Sequence, residues 1–406
     1  MKKMLSLAAM FAVLSYASPA SAELKIGGDA AVRARGEFNN SEIVGSPKTT
    51  NSDDLKYQYR IRLKATADLG SGYFFKALAQ TEDDGITGNT VAGGWATVEN
   101  GNVGAYNLEV SNFYFGRTLE NCHYSIGRLP LNSVNNPIFD ITLYPIPTGG
   151  AALGGVYAVD IPVATWNFDR VFGLNYGTKI GGGELNGTLV IFDNNSKVEN
   201  TPATGDGLLN DGYALHLSYK TNIGDVTFEP QAILSLTDLQ GAIYQKVSPN
   251  TFGANATIPA GKSKIGVSGF YTVCKDSKGA MPPTVTSVTT ADPITHVVTT
   301  TTTTTPNPAS VDYNGYLLRL KGESGPVTAW VDYNHTTDKT PATDLKYNNI
   351  FVWAQYNIKV HESATGTFSL TPTVRYRASS VGDAGTDTTL RRNNQLRGEL
   401  YATVTF

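Results

Sequence analysis

Beyond its first 22 residues the chain has no run of about 18 apolar residues, so no transmembrane helix is expected. Cysteine is almost missing. Cys122 and Cys274 are the only two, and two thiols so far apart make no disulfide framework. Charge of one sign is missing too: the formal net charge is −3, which points away from a nucleic-acid partner. Apolar residues make up 41%, slightly below a usual soluble domain, and there are only 4 Met. A chain poor in apolar runs can still sit in a membrane if only alternate residues face lipid.

What is present begins with a leader. Lys2 and Lys3 precede an apolar stretch at 4–14, and Ala20-Ser21-Ala22 offers a small-residue cleavage site. This pattern reads as a secretory signal peptide over residues 1–22, with a mature chain starting at Glu23 and occupying 23–406 as one unit. No cysteine follows the site, which argues against a lipoprotein anchor. Export excludes the cytoplasm.

The mature part alternates in twos. At the end of the chain, Leu396, Leu400, Ala402, Val404 and Phe406 fall on one side; Arg397, Glu399, Tyr401, Thr403 and Thr405 fall on the other. In "LKIGGDAAVRARGEF", Leu24, Ile26, Ala30, Val32, Ala34 and Phe38 oppose Lys25, Asp29, Arg33, Arg35 and Glu37. "YQYRIRLKATAD", "GYALHLSYK" and "GTFSLTPTVRYRA" repeat the pattern. Helices would need three- and four-residue spacings, so these are strands with one greasy and one wet face.

Connections alternate as well. Short ones at 69–72, 221–225 and 322–325 contrast with long polar ones at 39–54, 82–101, 193–211 and 380–390. Short turns at one end and long loops at the other describe an up-and-down antiparallel transmembrane β-barrel, all-β, with tyrosines at strand ends as an interfacial girdle. Fifteen strands can be counted directly. Both termini on the short-turn side require an even number, so the expectation is sixteen, with the extra strand near 241–248; fourteen and eighteen also satisfy parity. Residues 275–310, with seven consecutive threonines at 299–305, then form an outer loop. "TVTSVTT" and "ITHVVTT" could pair as a protruding hairpin, or the segment could remain a flexible solvated loop.

Catalytic signals are weak. "AGKSK" lacks the upstream glycine of a phosphate loop and precedes a strand, and "GVSGF" puts Phe270 where a nucleophile elbow needs glycine. The five histidines show no metal-ligand spacing, and His216 is expected to face a watery lumen. No catalytic residue, metal site or cofactor is therefore expected, and no enzyme.

The inward arginines say more. Arg33 and Arg35 lie on the first strand, and Arg60, Arg62 and Lys64 on the second. Arg375 and Arg377 lie on the penultimate strand and Arg397 on the last. In a closed barrel the first strand meets the last, so these four strands are neighbours and their cations form a basic column on one wall, subject to the barrel's shear. Lumen charges tune selectivity and steer anions. The plainer alternative is that scattered cations solvate the lumen and pair with Glu37 or Glu399. Opposite them, the connection at 129–165 is rich in Pro, Gly and apolar residues, unlike a solvated loop. Folded inward, it would bury Ile138, Phe139, Leu143 and Tyr144 and set Asp140 and Asp160 against the arginines. It could instead cover the outer mouth or latch onto a neighbouring subunit.

Three features together resemble the Gram-negative general porins: the exported leader with a terminal Phe406 on an alternating strand, the hairpin "NFYFGRTLENCHYSIGRLPLN" ending in Gly-Arg, and the position of 129–165 after the fifth strand. The resemblance implies sixteen strands, a homotrimer in outer-membrane lipid of a Gram-negative bacterium, and passive diffusion of small hydrophilic solutes and ions. It maps the family's basic wall onto Arg33, Arg60, Arg62, Arg375 and Arg397, with Asp140 as the loop acid, and makes Phe406 the signal for barrel assembly. One departure matters: "NPIFDITLYP" replaces the family's Pro-Glu-Phe-Gly-Gly stretch. Few loop acids beside many arginines favour anions. A substrate-specific channel for phosphate or organic acids is the alternative, and an outer-membrane adhesin or enzyme a more distant one.

Overall fold

The computed structural model describes residues 23–45, 49–82, 95–98, 107–131, 136–138, 170–193, 212–237, 248–276, 284–291, 298–305, 311–339 and 344–406. The leader at 1–22 lies outside them.

Two glycines and a short turn illustrate how local chemistry sets the strands. β2 (Thr49–Gly70) returns as β3 (Tyr73–Glu82) through Ser71 and Gly72, at φ 53° and 81°. Positive φ at both central residues is the hairpin turn whose twist matches the flanking strands. A Cβ on Gly72 would also stand 2.0 Å from the Thr118 carbonyl oxygen, so only glycine fits.

The order continues with β4 (Ala96–Thr97), β5 (Asn107–Thr118), β6 (Cys122–Pro130), β7 (Arg170–Ile180), β8 (Gly183–Asp193), β9 (Gly212–Ile223) and β10 (Val226–Ser235). Then come β11 (Asn250–Ala260), β12 (Ser263–Asp276), β13 (Thr284–Ala291), β14 (Val298–Thr305), β15 (Val311–Ser324) and β16 (Val327–Asp338). β17 (Leu345–Tyr356), β18 (Ile358–Ser363), β19 (Gly366–Asp383) and β20 (Thr389–Thr405) complete the chain after the opening strand β1 (Glu23–Ile43). β17 and β18 are one broken strand that pairs with β19, while β4 is a two-residue addition beside β2, and β13 and β14 pair only with each other. What remains is a sixteen-strand antiparallel barrel, closed by β1 pairing with both β2 and β20.

Closure has a physical cause. In hydrocarbon every unpaired backbone group costs several kcal/mol, so a sheet can cross only without edges. The last link is backbone to backbone: Phe406 and Gly28 exchange bonds of 2.8 and 3.1 Å. A Cβ on Gly28 would lie 2.3 Å from the Arg62 carbonyl and 3.1 Å from the Phe406 ring, so glycine here gives the final ring its seat.

Burial is inverted relative to a soluble domain. Val32, Phe38, Leu55, Leu318, Val374 and Leu400 are exposed, whereas Arg33, Glu37, Gln58, Arg319, Asp332 and Glu399 are buried. A lipid-facing outside and a polar interior produce that pattern.

The sixteenth strand is not where parity placed it. Residues 241–247 lie outside the described residues, and β11 at Asn250–Ala260 is what pairs with β10 and β12. Its outward set, Phe252, Ala254, Ala256 and Ile258, is half alanine, and Pro259 near its end further weakened the strand signal. The threonine-rich hairpin exists, but in a shifted register: "TVTSVTTA" pairs with "VTTTTTTT", Thr290 opposite Thr299. Lys275 and Asp276 belong to β12, so the outer connection spans 277–310.

Candidate lumen wall and constriction

The four strands β19, β20, β1 and β2 are contiguous, and their registers bring the predicted cations together. Arg375 stands directly opposite Arg397, and Arg33 opposite Tyr401 and Gln58. Like charges opposite each other repel, so such a row persists only if acids intervene.

Three carboxylates do so, each touched by three cations. Asp29 meets Arg60 at 3.5 Å, Arg62 at 2.9 Å and Lys64 at 3.9 Å. Glu37 meets Arg35 at 3.6 Å, Lys56 at 2.9 Å and Arg397 at 2.7 Å. Glu399 receives Arg35, Arg375 at 2.8 Å and Arg33 at 3.8 Å, with its side chain fully shielded. Arg35 serves two acids, so among the described residues eight cations meet these three carboxylates, and Lys56 also meets Asp54 at 3.6 Å. The pairing with Glu37 and Glu399 that the sequence offered as the plainer alternative is present in these contacts.

Neutral groups complete the bracing. The Tyr401 hydroxyl donates to Glu399 at 2.6 Å and accepts from Arg375 at 2.6 Å and Arg33 at 3.2 Å. Arg33 Nε donates to Gln58 at 2.7 Å, and Arg377 Nε donates to Asn349 at 2.8 Å. Arg375 lies 3.7 Å above the Trp353 ring, which stacks on Trp330 at 4.7 Å; Arg319, paired bidentately with Asp332 at 2.6 and 2.8 Å, lies over Trp330. From β19 to β15 a stacked tryptophan pair is thus sandwiched between two guanidiniums.

Sequence reasoning passed over several of these residues. Trp330 and Trp353 sit on the polar side of their strands' alternation, a signal that was there to read. Trp95 belongs to the connection between β3 and β5, which read only as a long polar loop, yet it is buried against Arg33 and Arg60. A single tryptophan in "AGGWATVEN" was the available hint.

Exposure divides the column. Arg33, Arg35, Arg375, Arg377 and Arg397 are buried in the wall, while the side chains of Arg62 and Lys64 are 30% and 57% exposed. Lys56, nearer the long-loop end of β2, is 38% exposed, so accessible cations flank the buried ones on both sides.

Of the connection after β6, only Leu131 and residues 136–138 are described; Asp140, Asp160, Phe139, Leu143 and Tyr144 lie outside the described residues. Asn136 reaches the opposite wall. It exchanges amide hydrogen bonds with Gln231 at 2.9 and 3.1 Å and accepts one from Asn255 at 3.0 Å. Pro137 and Ile138 are buried beside it, Ile138 completely. His216 is part of this cluster, 2.9 Å from Gln231 and buried, rather than bathed in lumen water as its alternation alone suggested. Below Asn136 and Pro137 a cavity of about 640 Å³ is lined by Lys220, Glu229, Lys264, Arg319, Lys321 and Glu323 among others. Among the described residues no cluster of metal-binding side chains occurs.

A family model described as Gram-negative porin matches residues 6–371. Among solved structures the chain is similar to an anion-selective porin from Comamonas acidovorans, at 12% identity and a TM-score of 0.49, covering 94% of this chain and 100% of that one. It is also similar to a loop L8 deletion mutant of OmpT from Vibrio cholerae (10% identity, TM-score 0.48, 94% and 99% covered) and to OccK5 of Pseudomonas aeruginosa (11%, 0.44, 93% and 98%). No curated protein matches the sequence.

Proposed function

This chain belongs to the Gram-negative porin family, a β-barrel of the outer membrane, and on that premise we propose that it is a diffusion channel whose basic wall favours small anions. The pore, not a reacting group, is the device. One observation carries the reading: among the described residues eight cations on β1, β2, β19 and β20 gather on Asp29, Glu37 and Glu399, with Asp54 beside Lys56 as a fourth acid. A cleft of one charge with low-dielectric walls focuses its field and concentrates counter-ions. An anion entering from the long-loop side would be drawn to this wall, pass the segment at Asn136–Ile138 and leave through the cavity below. Inward placement of that segment is supported by its amide bonds to Gln231 and Asn255. The chain is read as a homotrimer in outer-membrane lipid, following the family.

A substrate-specific anion channel is the second reading. It is favoured by Lys220, Lys264 and Lys321 around the cavity, which with Arg62 and Lys64 could act as successive weak sites. Saturating conductance at high salt separates it from a general pore.

The deciding experiment is the reversal potential of purified protein in a planar bilayer across a salt gradient. Discrete steps with anion preference, reduced in the double variant Arg60→Ala with Arg375→Ala, are the expected result. Cation preference would leave a porin but sink this account of the lumen. A folded barrel without conductance would defeat the channel itself.

A further inference from the structure

Trp95 reaches the basic wall from a connection rather than from a barrel strand. β3 pairs with β2 only from Arg62 to Gly70, which leaves the β2 edge open farther out. β4 occupies part of that edge: Ala96 and Thr97 pair with Tyr59 and Gln58, and the Val98 amide donates to the Tyr57 carbonyl at 2.9 Å. Gln58 ties the connection to the column, donating to Thr97 at 3.0 Å while accepting from Arg33 at 2.7 Å. The indole then lies between two guanidiniums, 4.1 Å from Arg33 and 4.6 Å from Arg60, with the Tyr401 ring edge-on at 5.5 Å. Two residue pairs are too few to hold a strand alone. The two cation–π contacts add to the hold of that short pairing on the ring.

We infer that the segment at 95–98, on the connection between β3 and β5, is a second constricting element, and that Trp95 sets how much guanidinium surface a passing anion meets. This rests on the anion-pore reading above. The indole covers the faces of Arg33 and Arg60 without neutralising them, so it limits contact with an anion while leaving the long-range field in place. Asn136 docks on β10 and β11 instead, and β10 lies half-way round the sixteen-strand ring from β1. The two described segments, 95–98 and 136–138, therefore pack against opposite sides of the barrel wall.

The test measures single-channel conductance and the anion-to-cation permeability ratio for the wild type, Trp95→Ala, Trp95→Phe and Val98→Pro. Each protein is first checked for the heat-modifiable migration of a folded barrel. Trp95→Ala should raise both quantities about twofold, because two guanidinium faces and the volume of an indole open to the lumen. Trp95→Phe, which keeps a π face, should stay near the wild type. Val98→Pro removes the amide bonded to Tyr57 and leaves the indole on the chain, so it should shift both quantities in the direction of Trp95→Ala; it also serves if the alanine variant does not assemble. Wild-type values in both Trp95→Ala and Val98→Pro, or a shift toward cations in either, overturn the inference while leaving the pore reading intact. A wild type that does not conduct defeats that reading, and this one with it.

Discussion

Glu399 holds side chains from three strands in one cluster: Arg35 and Arg33 from β1, Arg375 from β19, and the Tyr401 hydroxyl from its own strand. Its carboxylate is completely shielded, so its charge acts at low dielectric, and the guanidiniums around it depend on that charge to offset their mutual repulsion. Replacing one partner of a buried ion pair leaves the others uncompensated and costs about 3–5 kcal/mol. Glu399→Gln is therefore expected to lower the temperature at which the barrel loses its heat-modifiable migration, and to raise anion preference because the wall loses a negative charge. If neither changes, Glu399 is a bystander and the bracing lies with Glu37 and Asp29. Tyr401 does what a carboxylate could not: it accepts from two arginines while donating to the acid between them, linking the cluster at no charge.

At the scale of elements, β1 and β20 decide whether the barrel exists as a closed object. Their register runs from Asp29 opposite Thr405 to Ile43 opposite Arg391, and the pair Gly28–Phe406 extends it to the final residue. Phe406 is 53% exposed and falls on the outward side of β20, where an apolar group faces lipid. Phe406→Asp is expected to reduce the amount of protein recovered in the outer membrane while export across the inner membrane is unaffected. Gly28→Val should do the same for a steric reason, since its first carbon would strike the Arg62 carbonyl. Normal outer-membrane yield for both variants would remove the seam from any role in assembly. The connection after β6 follows a different logic. At Asn136 it meets neutral amides on β10 and β11, which bind with geometry rather than charge.

At the scale of the molecule, the barrel is inside-out by soluble standards, with apolar side chains exposed outside and polar ones buried within. The β13–β14 hairpin is separate from this: it pairs only with itself and hangs on the connection between β12 and β15. Those two strands already pair from Ser263–Ser324 to Asp276–Val311, so the barrel wall is complete without it. Deleting residues 277–310 and joining the strands by a short turn should leave conductance, ion preference and a three-chain assembly in chemical cross-linking unchanged. Loss of conductance would make the hairpin part of the pore, and a single-chain species before deletion would refute the trimer.

The barrel was legible in the chain because its cause is local. A strand with lipid on one face and water on the other must alternate, and Leu24 to Phe38, Tyr57 to Ala67 and Leu396 to Phe406 do so wherever the chain is placed. Closure and parity then require an even count, which holds at sixteen. β11 escaped because alanine and glycine contribute little to an apolar–polar contrast, and the real strand lay beyond the segment first assigned to it. The cations were legible as a set facing inward, since alternation assigns faces. Their arrangement was not: that Asp29 and Glu399 each collect three of them, and Glu37 two of them with Lys56, which the sequence reading had not singled out, depends on the stagger of four strands, two of which come from the far end of the chain. Trp95 and Asn136 were decided by tertiary structure alone. Both lie on connections without a period, and their positions follow from what the barrel wall offers them, two guanidinium faces in one case and two amides in the other.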